Sequence, residues 1–444
     1  MNAQHLPPSP LGWLGIARLG LVQTSLGAIV VLTTAALNRV MVIEHALPAT
    51  IPGALVALHY AVQMLRPRLG HGSDQGGRRT PWIIGGMAAL GIGGVLAAVA
   101  TAWMGTALLP GILLAVLAFM LVGLGVGAAG TSLLVLLAAR VAPSRKPAAA
   151  SIVWIMMIAG FVVTTATTGR LLDPYSAERL IGVTASVAAI AFVVSLVAVA
   201  GIEGRAAARK ADAGAQTDFG AALREVWAEP VARHFTIFVF VSMLAYSAQD
   251  LILEPFAGAV FGMTLGESTQ LSSIQHGGVL AGMIVIAVVG SLVKGSIRAL
   301  RGWIVCGCLL AFGMLIGLAF AHVGGGTFPL RTTFFVLGVA NGAFAAAAIA
   351  AMMQLVGSGR QGRDGVRMGM FGAAQAIAFG LGGLVGTVIL DLGRLATGSV
   401  NGGYSVVFLA DAALFLVSAL LALRIGQPAR LRRDNFGHAA QAAS

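Results

Sequence analysis

Gly70-His71-Gly72-Ser73-Asp74-Gln75-Gly76-Gly77-Arg78-Arg79 is a short polar stretch set between two long apolar runs. Its glycines permit sharp backbone turns where a side chain would clash. Asp74 is a lone carboxylate among Arg66, Arg68, Arg78 and Arg79, placed to form a salt bridge or to cap a neighbouring helix N-terminus. The stretch reads as a tight basic loop between two membrane-spanning helices.

Composition supports a membrane setting. Of the 444 residues, 58% are hydrophobic and only 10% are charged, with a mean hydropathy of +0.90. A soluble domain carries about 25% charged residues, so this chain could not cover its surface with polar groups. The 60 glycines suit close helix packing in lipid. The net charge of +12 is accounted for by basic loops facing anionic lipid, without nucleic acid. Cys306 and Cys308 would point to different faces of a helix, which argues against a disulfide or a metal pair. Met1–Pro10 is polar and proline-rich, and the first apolar run is long enough to span, so no cleaved leader is expected.

At about 20 apolar residues per span, twelve transmembrane helices are predicted. They are Arg18–Val40, Ala49–Leu65, Pro81–Met104, Leu109–Leu137, Ala148–Gly169, Leu180–Ile202, Phe235–Leu253, Leu271–Val293, Gly302–Val323, Phe328–Leu355, Met368–Leu390 and Tyr404–Leu423. With the N-terminus cytoplasmic, only Arg39, Arg170, Arg179, Arg331 and Arg394 of the 28 Lys and Arg residues fall outside. That bias predicts both termini in the cytoplasm. The domains expected are an N-terminal tail (1–17), a six-helix bundle (18–202), a linker (203–234), a second six-helix bundle (235–423) and a basic tail (424–444). Within the linker, Thr217–Trp227 reads as an amphipathic helix with Phe219, Leu223, Val226 and Trp227 on one face.

The halves resemble one another. Gly123 and Gly127 in the fourth span match Gly338 and Gly342 in the tenth. The fifth span ends Gly169-Arg170-Leu171-Leu172-Asp173 and the eleventh Leu390-Asp391-Leu392-Gly393-Arg394. Two repeats related by an axis along the membrane normal would leave such traces.

Ionisable groups at membrane depth each cost about 2.5–3.5 kcal/mol, so each needs a reason. Asn38, Arg39 and Glu44 close the first span, and Gln249, Asp250 and Glu254 close the seventh. These are expected to face each other across a central cavity with Arg39 paired to Asp250 or Glu254, or else to sit in headgroups as anchors. His59 and His276 lie in corresponding spans. Each is either a magnesium ligand for a pigment, with Gly277 and Gly278 leaving room for a flat ring, or a hydrogen-bonded packing residue. Asp391 and Asp411 are proton-relay, helix-end or snorkelling groups; Met156, Met157, Met352 and Met353 are gap-fillers or a cofactor surface. Trp154, Trp303 and Gly380–Gly386 are candidates to line a groove. No phosphate-binding loop, His-Glu-x-x-His or nucleophile elbow is found, nor an aspartate-rich pair that would hold magnesium diphosphate, so no catalytic residue and no metal other than a pigment's magnesium is assigned.

The loop pattern Gly70, Asp74, Gly77, Arg78, Arg79 resembles the signature of the major facilitator superfamily, with Gln75 where that pattern has Arg or Lys. The resemblance implies an all-α membrane protein with twelve helices in two bundles. The phrases Leu37-Asn38-Arg39-Val40-Met41-Val42-Ile43-Glu44 and Asp250-Leu251-Ile252-Leu253-Glu254-Pro255-Phe256-Ala257-Gly258 resemble the PucC/LhaA family, bacteriochlorophyll-delivery proteins of purple photosynthetic bacteria. Leu58-His59-Tyr60-Ala61-Val62-Gln63 is most like the member encoded among pigment-synthesis genes. This implies a multi-pass protein of the photosynthetic (intracytoplasmic) inner membrane, with bacteriochlorophyll as cargo. Its partners would be lipid and either light-harvesting polypeptides or pigment-synthesis enzymes. A proton-coupled transporter of a small solute and an accessory subunit of pigment synthesis are the alternatives.

Overall fold

The computed structural model describes residues 11–64, 78–142, 145–203, 219–292, 296–356 and 364–425. Gly70, Asp74 and Gly77 of the signature loop lie outside them; Arg78 and Arg79 lie within.

The chain is helical throughout these residues. The first helix, α1, runs Trp13–Glu44. It is followed by α2 (Thr50–Gln63), α3 (Thr80–Met104), α4 (Leu108–Arg140), α5 (Lys146–Leu171) and α6 (Ala177–Val199). A short α7 (Phe219–Ala228) leads into α8 (Pro230–Asp250), α9 (Leu253–Phe261), α10 (Leu265–Leu292), α11 (Ile297–Ala319), α12 (Leu330–Val356), α13 (Asp364–Thr397) and α14 (Val400–Ala422). Eleven of these are long and apolar enough to cross a membrane. The second expected span, Ala49–Leu65, is represented by the 14 residues of α2. Helix starts follow local chemistry: Ser176, Ser296 and Ser399 accept from N–H groups three residues on, and prolines open α3, α5 and α8, where no donor is lost.

Each half repeats one packing scheme. In the first, α1 packs on α5 and α6, α3 on α4 and α6, and α2 on α4. In the second, α8 packs on α13 and α14, α11 on α12 and α14, and α10 on α12. The halves meet along two seams, α2 on α13 and α5 on α10. Because α2 corresponds to α10 and α5 to α13, the two seams are the same contact made twice. Glycines permit the closest approaches. A Cβ on Gly338 or Gly342 of α12 would lie 2.0 Å from the carbonyl oxygen of Gln275 or Val279 on α10. A Cβ on Gly123 of α4 would lie 2.6 Å from that of His59 on α2. The glycine pairs seen in the sequence thus bring their helices against the two histidine-bearing helices. Gly278 belongs to the same contact, since its Cβ would meet Phe335 O at 2.2 Å. It packs helices and leaves no space for a ring.

Leucines and valines such as Leu113, Leu117, Val193 and Val197 stay exposed at four-residue spacing, as a lipid-facing surface requires. Val226 of α7 is buried in the core of the second half, whereas Trp227 is 45% exposed. Arg367, buried on α13, holds Glu229 at the start of α8 through two hydrogen bonds, of 3.1 and 2.7 Å. In the first half, Glu203 accepts from the backbone N–H groups of Arg79 and Thr80 and from the Thr80 hydroxyl (2.6, 2.8 and 2.7 Å), and so caps α3. Burial alone would raise its pKa, but these donors and the Arg79 charge outweigh burial and hold the carboxyl below its ordinary value.

Two outcomes follow for stability. A folded-state value below the unfolded one stabilises above the unfolded pKa of about 4.3 and is lost as pH falls through the folded value. Glu203→Gln should therefore cost on the order of 1 kcal/mol at neutral pH, discounted for partial exposure. Melting in detergent should show the gap to wild type closing in acid. Gly338→Leu should cost at least about 2 kcal/mol by overpacking, whereas Gly313→Ala, whose Cβ would meet nothing within 4 Å, should leave the melting temperature level or raise it.

Candidate functional site

A cavity of about 420 Å³ lies where the two halves meet. Its walls come from α1, α2, α5, α8, α10 and α13, with single residues from α4, α9 and α12. His59 and His276 both line it, as do Asp250 and Trp154. His59 sits edge-on to Tyr60 at 4.6 Å, and His276 edge-on to Phe161 at 5.1 Å. Tyr60 and Tyr246 flank Phe379 at 5.9 and 5.8 Å, forming an aromatic wall.

The polar lining is mostly uncharged. Gln23, Gln63, Gln275 and Gln375 contribute amides, and Asp250 is the one carboxylate; the described lining residues include no Lys or Arg. The amides escaped the sequence reading because a lone glutamine in an apolar span carries no pattern. Their common signal was the same one used for the histidines: a polar group at membrane depth.

At the end where α1 finishes, each seam is fastened by one carboxylate. Asp173, after α5, accepts from the Thr264 hydroxyl and the Gly266 N–H (2.6 and 2.9 Å) at the start of α10. Asp391, on α13, accepts from the N–H groups of Ala49 and Thr50 (3.1 and 2.8 Å) and from the Thr50 hydroxyl (2.7 Å) at the start of α2. Carboxylates at helix N-termini are favoured by the exposed N–H groups and the helix dipole. Asp391, read as a relay or helix-end group, stands in the structure as a cap on the facing bundle. Gly169 packs against Gly266 beside one of these contacts, and Gly53 against Thr387 beside the other.

Arg39 requires a correction. Its ion-pair partner is Glu44, not Asp250 or Glu254. The reason is local: α1 widens into π-helical turns at Leu32–Ala36 and Val40–Glu44. A plain α-helix puts residues five apart roughly 140° apart; the wider turn brings them onto one face. Arg39 also donates to Met263 O at 2.6 Å and lies over Gly258, where a Cβ would sit 3.1 Å from Nη2. Asn38 donates to Leu251 O (2.7 Å). The Asn38 and Arg39 side chains therefore reach backbone carbonyls at the end of the seventh span and just beyond it, not its carboxylates. Of the cluster named from the sequence, only Asp250 lines the cavity. Gln249 accepts from Asn341 (3.0 Å), and Glu254 accepts from the Ser272 hydroxyl. Asp411 is buried, with Oδ1 lacking a hydrogen-bond partner.

The proposed groove lining changes as well. Gly382, Gly383 and Gly386 pack against Leu244, Ser247, Ala248 and Leu251, and Gly380 against Tyr60. Trp303 packs on the core of the second half. Met157 lines the cavity, while Met156, Met352 and Met353 do not.

With this geometry in place, comparison places the chain. The family model described as PUCC protein matches residues 36–429. The chain belongs to the PucC family. It is 51% identical over 417 residues, 93% of this chain and 95% of the relative, to the "Bacteriochlorophyll synthase 44.5 kDa chain" of Rhodobacter capsulatus. It is 28% identical over 444 residues to "Protein PucC" of Cereibacter sphaeroides, covering 92% of this chain and 91% of that one. Among solved structures it is similar to the nucleoside transporter NupG, with TM-score 0.68, 16% identity and coverage of 93% and 99%. It is also similar to a bacterial homolog of the human lysosomal transporter Spinster in an inward-facing, unoccupied conformation, with TM-score 0.66, 16% identity and coverage of 94% and 98%. At these identities the solved structures speak for the fold alone, and that fold is the major facilitator fold of a multi-pass membrane protein.

Arg39 is buried but Glu44 is exposed, so solvent screens one side of the pair. Glu44→Gln should therefore destabilise the detergent-solubilised protein by about 1 kcal/mol. Arg39→Glu with Glu44→Arg should recover part of that loss in thermal melts, whereas Arg39→Asp with Asp250→Arg should recover none.

Proposed function

We propose that this PucC-family protein carries a bacteriochlorophyll within the photosynthetic inner membrane and passes it to light-harvesting polypeptides or to pigment-pathway enzymes. The observation that carries the reading is the seam cavity: two histidines, an aromatic wall and four amides, with one carboxylate, Asp250, and walls that are mostly apolar. A tetrapyrrole with a hydrocarbon tail is lipid-soluble and needs no aqueous path. It needs apolar walls, an axial ligand and donors for its carbonyls, and the lining residues offer all three.

On this reading the protein is a carrier or assembly factor with both termini in the cytoplasm. We assign it no bond-forming step, although a relative bears the name of a synthase chain. The test is purification in mild detergent from a photosynthetic host. An absorption spectrum of bound bacteriochlorophyll, with an antenna or pigment-pathway polypeptide co-purifying, is the expected result. A colourless protein that instead drives proton-dependent uptake of a soluble metabolite into proteoliposomes would overturn it in favour of a transporter.

A further inference from the structure

We infer that the cavity selects the neutral, esterified form of a metallo-tetrapyrrole, and that His276 Nε2 is the axial ligand to its metal. The inference rests on the reading just given and specifies which chemical form is held, and by which nitrogen.

The two histidines are not equivalent. His276 Nδ1 lies 2.8 Å from the Ser272 carbonyl oxygen. A carbonyl only accepts, so Nδ1 carries the hydrogen, and in the neutral imidazole Nε2 holds the lone pair. Ser272 is itself fixed, its hydroxyl donating to Glu254. A hydrogen-bonded second nitrogen is how proteins orient a metal-binding imidazole. At His59, by contrast, Nε2 lies 2.8 Å from Gln63 Nε2. Whichever way the Gln63 amide is turned, His59 Nε2 is engaged, as acceptor from the NH2 or as donor to the oxygen. With its Nε2 committed to Gln63, His59 is assigned to the wall of the cavity.

The charge of the lining selects the form of the ring. A tetrapyrrole whose propionate is free carries a carboxylate. In this cavity that carboxylate would meet amides, aromatic rings and Asp250, and none of the described lining residues is a Lys or Arg. An anion taken from water without a paired cation is disfavoured. Esterified, the same ring is neutral, and its carbonyls can accept from glutamine amides. Gln23 is placed for this role: one N–H of its amide points to the Met157 sulfur, at 3.2 Å, and the NH2 has a second hydrogen to donate to a ring carbonyl. The reaction that supplies the cargo is then esterification of a ring propionate with a long-chain alcohol or its activated form. The step that removes it is exchange of the axial histidine for a ligand on the acceptor.

The test uses the purified full-length protein in detergent with three probes: zinc pheophytin, the free acid zinc pheophorbide, and metal-free pheophytin. Tryptophan quenching reads affinity, and resonance Raman reads the coordination of zinc. Zinc pheophytin should bind wild type five-coordinate, at least tenfold more tightly than the free acid, and Asp250→Asn should narrow that gap. His276→Ala should lose the axial ligand and at least tenfold in zinc pheophytin affinity, with added imidazole restoring the five-coordinate signature. The same variant should bind metal-free pheophytin as wild type does, which shows that it is folded. His59→Ala should keep the axial ligand. Retained five-coordination in His276→Ala, or equal binding of acid and ester by wild type, would overturn this inference while leaving a pigment carrier intact. Failure of wild type to bind any of the three would overturn both.

Discussion

Close backbone contact at glycine is the constraint on which this architecture depends. Lipid offers no hydrophobic drive for helices to associate, so van der Waals packing at small residues must do it. Gly338 and Gly342 of α12 press on α10, and Gly123 of α4 presses on α2. These contacts set the backs of the two helices whose fronts carry His276 and His59. The cavity is what remains between them once the paired seams, α2 with α13 and α5 with α10, have closed.

The duplication extends to polar contacts. Asp173 and Asp391 perform one task at symmetry-related places, each capping the first turn of a helix in the other half. Each satisfies N–H groups that would otherwise lack partners. The opposite end departs from this symmetry. There Glu203 caps α3 within its own half, and the buried Arg367 clasps Glu229. Among the described residues, the halves are thus tied to each other at the end where α1 finishes and braced internally at the other.

Much of this was legible in the sequence. Long apolar runs gave the helices, and eleven of those described are long and apolar enough to cross a membrane. His59, His276, Asp250 and Trp154 were singled out as polar or aromatic groups within spans, and all four line the cavity. The partner of Arg39 was not legible, because composition does not reveal where a helix widens. Gly278 and Gly380–Gly386 were misread as space because a glycine has the same letter whether it faces a void or a neighbouring backbone. The distinction between the two histidines depended on single hydrogen bonds, to Ser272 and to Gln63, which residue type alone does not specify.

The two wide turns of α1 have an arithmetic of their own. A π-helical turn accommodates one surplus residue relative to an α-helix, and at about 100° per residue a pair of them rotates the end of α1 by roughly 200°. Thr33 and Thr34 both donate to Val30 O at the first of these turns, which gives that carbonyl hydroxyl partners. The facing of Asn38 and Arg39 is therefore set by a residue outside the pair: removing one residue from the Leu32–Ala36 turn would swing both by about 100° while leaving their own identities untouched.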